Sequence, residues 1–131
     1  MGFGVGPARA GIEFVIPGGG AEIGAGIAGF LGVPFDCEIE AVELLPDQPG
    51  SIKVDIWKCT YAQFDAGATH PVDADTITGG NEPEIVAGSK DQDTILTGWT
   101  VILAQGDILA FNVDSATTIT RCTVILRVRE P

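Results

Sequence analysis

Basic residues are scarce: seven lysines and arginines stand against 18 aspartates and glutamates, a net charge of −11. Such a surface repels phosphate backbones, which argues against duplex binding and predicts no nucleic-acid partner. Cysteine is as sparse. Cys37, Cys59 and Cys122 are an odd number without CxxC spacing, which argues against a disulfide framework and a thiolate zinc site. Cys37 and Cys122 are in phase with apolar neighbours and are expected to be buried, whereas Cys59, at a strand end, is expected to react sooner. Apolar runs all fall short of the ~20 residues a membrane helix needs, and no leader with a charged and then an apolar region opens the chain. No membrane partner is expected.

Catalytic signatures are equally thin. His70 is the only histidine, and no serine or cysteine sits in a nucleophile turn such as GxSxG. The expectation is a protein that is not an enzyme, with no catalytic residues, no cofactor and no metal. One loop does collect Asp65, Asp73 and Asp75, with Asn81 and Glu82 further on. Oxygen ligands of this kind suit calcium, but the spacing is not that of an EF-hand, so a solvated acidic loop is the expectation. Gly24 to Gly29 reads GxGxxG, yet Pro34 follows five residues later without helical periodicity. A glycine-rich strand packed closely against a neighbour explains it better than a dinucleotide fingerprint.

What the chain has in quantity is turns and alternation. Its 131 residues include 18 glycines and eight prolines and are 45% hydrophobic, enough for one domain with a real core. Ile12, Phe14 and Ile16 alternate with polar or opposite-facing neighbours, as do Cys37 and Ile39, where a phase slip at Ala41-Val42 suggests a bulge. Ile52, Val54 and Ile56 alternate with Lys53, Asp55 and Trp57, and the Asp47–Gly50 turn makes residues 37–58 read as a hairpin. Short strands are expected near 84–86 and 94–96. Leu109, Phe111 and Val113 share a face, as do Cys122, Val124, Leu126 and Val128. The prediction is an all-β fold: one jelly-roll-like antiparallel β-sandwich of about eight strands over residues 12–131.

Two segments stand outside this pattern. Residues 1–11 carry glycine at 2, 4, 6 and 11 and bury little of their own surface. They read as a flexible arm that orders on a neighbouring subunit, with Phe3 and Val5 as its anchors. Residues 60–83 form a loop too long to be a simple connection, with one helical turn expected around 72–77. Trp57, on the polar face of its strand, Trp99 after a turn, and Tyr61 are candidate carbohydrate-stacking or interface aromatics. Coverage of both indoles by the sandwich edges is the plainer alternative. Arg121, Arg127 and Arg129 share one face of the last strand and are expected to pair with an acidic strand or an acidic neighbouring subunit.

Gly50–Lys58, Leu96–Thr100, Gly106–Ser115 and Thr118–Arg121, taken as an ordered set, resemble a β-sandwich module of tailed-bacteriophage virion proteins. The resemblance runs from about Ile12 to the C-terminus. It implies a particle component of the capsid-decoration, head-fibre or tail-fibre type, made in the host cytoplasm and located in the virion. It further implies a homotrimer that contacts other virion proteins, and it carries over no catalytic residues. The alternatives are a tail-tip or fibre adhesin for host surface glycan and, last, a glycan hydrolase.

Overall fold

The computed structural model describes residues Ala8–Pro131, so the proposed anchors Phe3 and Val5 lie outside the described residues. Nine strands and one short 3₁₀ turn follow in order: β1 (Arg9–Pro17), β2 (Gly26–Gly32), β3 (Cys37–Pro46), β4 (Gly50–Cys59), the turn Asp73–Asp75, β5 (Glu84–Gly88), β6 (Asp91–Asp93), β7 (Ile102–Leu103), β8 (Ile108–Thr117) and β9 (Arg121–Arg129). Strand β1 starts at Arg9, paired with Arg129, so the last part of the expected arm belongs to the sandwich.

One sheet runs β1-β9-β3-β6, with β7 also on β3, and the other runs β2-β8-β4-β5. Leaving out two-residue β7, the first strand pairs with the last, the second with the second last, and so inward to β4 with β5. That nesting is the jelly-roll order, built from antiparallel pairs throughout. The expected hairpin over 37–58 does not form: β3 and β4 lie in different sheets, and the Asp47–Pro49 turn crosses between them. Alternation declares which face of a strand is apolar, but it carries no information on which strand lies alongside. Asp47 secures this corner by accepting from the Thr120 and Arg121 amides at 3.1 Å each and from the Thr120 hydroxyl, and these donors hold its carboxyl below the usual carboxylate range.

The inner faces meet in one core of Ile12, Ile16, Val42, Leu44, Ile52, Val54, Ile56, Leu109, Phe111, Val124 and Leu126, all buried. Phe14 and Phe111 stack with ring centroids 4.6 Å apart and planes within 3°. A Cβ on Gly29 would sit 2.6 Å from Phe14 Cζ. The last glycine of the GxGxxG run therefore serves close strand packing against an aromatic ring. The bulge expected near Ala41 is present as a register shift between Ile39 and Ala41.

All three cysteines are free and buried, including Cys59 at 4% exposure, which corrects the expectation of a reactive Cys59. Burial raises the pKa of each thiol, and that of Cys122 reaches about 11 from the ordinary 9.0. Thiol reagents are therefore expected to label none of the three before unfolding. The folded state favours the protonated Cys122 thiol, so this contribution is complete below pH 9 and is lost as pH rises through about 11. Its full size is about 2–3 kcal/mol. Urea unfolding at pH 8 and pH 11 checks it: the loss between the two should be smaller in Cys122→Ala than in wild type.

Candidate functional site

The outer face of the β2-β8-β4-β5 sheet is where the long loop goes. Trp57, Ala110 and Phe30 lie side by side across β4, β8 and β2. Ala110 is fully buried and Trp57 is 8% exposed. Phe64 meets Phe30 edge-on with centroids 5.0 Å apart, Thr76 bridges to Trp57, and the Ile77 amide donates to the Ile56 carbonyl at 2.9 Å. Residues 60–83 thus fold back onto the sheet, and β4 is buried on both faces through much of its length. Trp57 sits on the face read as polar, but its ring is covered.

Asp55 holds this arrangement together and is 2% exposed. Its Oδ1 accepts from the Ile56 amide at 2.8 Å, the Thr76 hydroxyl at 2.6 Å and the Thr78 hydroxyl at 3.0 Å, while Oδ2 accepts from Trp57 Nε1 at 3.0 Å. Asp55 and Trp57 are two apart on one strand, so both side chains leave the same face and can meet. The two threonines arrive from the loop. Each bond to an ionised acceptor is stronger than a neutral one, and together they tie the strand to its cover.

The rest of the loop is internally bonded. Thr60 and Gln63 exchange bonds, side chain to backbone, at 2.9 and 3.2 Å. Asp65 accepts from the Thr69 and His70 amides at 2.9 and 2.8 Å and from the Thr69 hydroxyl, and these donors, the hydroxyl foremost, lower its pKa to about 2. Asp75 accepts from the Val72 amide at 2.9 Å and lies 3.0 Å from His70 Nδ1. The expected helical turn appears at Asp73–Asp75. Further on, the Thr100 amide donates to Ile77, and Trp99 Nε1 donates to the Asn81 carbonyl at 3.0 Å.

Of the three candidate aromatics, Trp57 and Trp99 are 8% and 9% exposed with their indole N–H groups engaged inside the protein. Neither offers the open ring face that sugar stacking needs. Tyr61 is 76% exposed. Of the loop's candidate ligands, Asp65, Asp73 and Asp75 form no common cluster among the described residues, and only Glu82 joins one. That cluster is Asp55, Glu82 and Asp114, whose carboxylate oxygens lie within 4.8 Å of one another. Asp55 accepts three donors at Oδ1 and one at Oδ2, Lys53 lies 3.8 Å from Glu82, and Asn112 donates to Asp114 at 2.9 Å. Each carboxylate of the cluster thus has a protein donor or cation beside it.

On the opposite sheet the last-strand arginines meet acids as expected of Arg127 and Arg129. Arg127 pairs with Glu43 at 2.8 Å, and Arg129 with Glu38 at 2.7 Å and Glu40 at 3.7 Å; Arg9 joins Glu40 at 3.0 Å. Arg121 has no ion pair among the described residues. Sequence reasoning missed Asp55, Thr76 and Thr78. The available signal was the Asp-x-Trp spacing on one strand face, which becomes informative only with a loop overhead. Compared with known proteins, the chain matches no family model, no curated protein and no solved structure at a significant level.

Proposed function

We propose that this chain is a structural component of a tailed-phage particle, of the capsid-decoration or head-fibre type, working through subunit contacts. The observation that carries the reading is the strand order, a complete jelly roll, an architecture that recurs in viral capsid domains. The segments that resemble phage virion modules also form one physical unit. Gly50–Lys58 lies in β4 and Gly106–Ser115 covers most of β8, two strands paired from Ser51↔Thr117 to Cys59↔Ile108. Leu96–Thr100 supplies Trp99 and the amide that bonds Ile77.

Side chains in the loop and corners act on the protein's own backbone, as Asp47, Asp65 and Asn81 do. That use of polar groups suits a rigid building block, because ordered loops enter an assembly without further loss of conformational entropy. Fold alone is an analogy, so the test is location. Peptide mass spectrometry and antibody-gold labelling of density-purified virions are expected to find the protein at fixed stoichiometry on the particle surface. Its absence from intact particles overturns the reading. Glycan binding lost in Tyr61→Ala, by a protein found only at the tail tip, would replace it with the adhesin alternative.

A further inference from the structure

Strand β1 is a nine-residue edge strand that pairs on one side only, with β9, and its register runs without a bulge from Arg9 to Pro17. Which backbone groups face outward follows from parity. Ala8 accepts from the Glu130 amide at 2.9 Å and the Gly18 amide donates to Thr120 at 2.8 Å, so even-numbered residues point at β9. The N–H and C=O groups of Arg9, Gly11, Glu13 and Val15 therefore point away from the sheet, and none of them is bonded among the described residues. Native sheets blunt such edges with short strands, bulges, inner prolines or charged side chains, and before its last residue β1 has only the charges, Arg9 and Glu13, which are of opposite sign.

We propose that β1 pairs antiparallel with β1 of a second copy about a two-fold axis at Gly11, joining the two β1-β9-β3-β6 sheets into one. Charge selects both the partner and the register. A two-fold at Gly11 sets Arg9 of each copy directly opposite Glu13 of the other, and outward-pointing odd residues then face outward-pointing odd residues, as antiparallel bonding requires. A two-fold at Glu13 would oppose Glu13 to itself, and one at Ile12 would leave Arg9 opposite Val15. Only the Gly11 register places opposite charges directly across twice. Glu13 is exposed and has no ion pair among the described residues; Arg9 bonds Glu40 through Nε at 3.0 Å, yet its side chain stays 65% exposed and its remaining guanidinium donors can meet a second carboxylate. Gly11, at the axis, brings no side chain between the copies. The contact is isologous and closes on itself, so it yields a dimer rather than the three-fold assembly implied by resemblance. An edge of this length buries less than the ~1,200 Å² of stable complexes, which makes the pairing a weak one. The inference does not depend on the particle assignment.

Two variants test it. Glu13→Arg sets arginine against arginine across the axis, and Arg9→Glu sets glutamate against glutamate. Sedimentation velocity of the full chain, over a series reaching millimolar concentration at low salt, should show a monomer–dimer equilibrium for wild type. Each variant alone is expected to dimerise about tenfold more weakly. An equimolar mixture of the two should regain wild-type association as a heterodimer, because every cross-axis pair is again of opposite sign. Thermal unfolding of Glu13→Arg should stay at wild type, and Arg9→Glu, which also breaks the exposed Arg9–Glu40 pair, should unfold only slightly earlier. A wild-type chain that stays monomeric overturns the proposal. So does a dimer unaffected by either variant, or a mixture that fails to recover, since pairing would then lie elsewhere or with a different chain.

Discussion

Replacing Asp55 with alanine is expected to lower the unfolding free energy by about 3–5 kcal/mol, because it strands several donors at once. The Trp57 indole, the Thr76 and Thr78 hydroxyls and the Ile56 amide all donate to this one carboxylate. At 2% exposure, water cannot readily take its place. Asn at position 55 keeps the shape but removes the charge and aims an N–H at other donors, so about 2–3 kcal/mol is expected. Thr78→Val removes one donor and leaves the acceptor otherwise satisfied, at about 1 kcal/mol. Equilibrium urea unfolding measures these values. Limited proteolysis locates them: cleavage within residues 60–83 should accelerate in Asp55→Ala under conditions where the two sheets still resist. A variant within 1 kcal/mol of wild type, with an uncut loop, would show that the loop is held by apolar contacts instead.

Phe111→Ala is expected to cost about 3–5 kcal/mol, through lost burial and the cavity left between the sheets. Phe111 is fully buried and stacks on Phe14, whose ring tip in turn lies against Gly29. Gly29→Ala pushes a methyl group into that ring and should cost about 1–3 kcal/mol as overpacking. The two changes are coupled through Phe14. With Phe111 gone, the Phe14 ring can slide into the vacated space and make room for the new methyl. The double variant is therefore expected to be more stable than the sum of the single losses implies, by about 0.5–2 kcal/mol. Unfolding of wild type, both single variants and the double variant closes the cycle, and strict additivity would show that Phe14 does not relay the strain.

What the sequence determined by itself is local. The inward residues of β4, β8 and β9 are legible because side chains alternate between faces every residue, whatever the partner strand. The bulge near Ala41, the buried Cys37 and Cys122 and the shared face of Arg127 and Arg129 follow from the same periodicity, and the glycine-rich run is strand from Gly26 on. Tertiary structure alone decided the rest. Whether β3 turns back beside β4 or crosses to the other sheet depends on β9 and β8, roughly fifty to ninety residues onward, which claim the adjacent edges. The polar reading of the Trp57 face failed because alternation reports only that two faces differ, and a covering segment can bury the second face as well. That cover is residues 60–83, a stretch with no period of its own. Asp55 becomes the central polar group of the fold only because Thr76 and Thr78 arrive alongside β4 from a loop whose path is set by contacts with Trp57, Phe30 and Trp99.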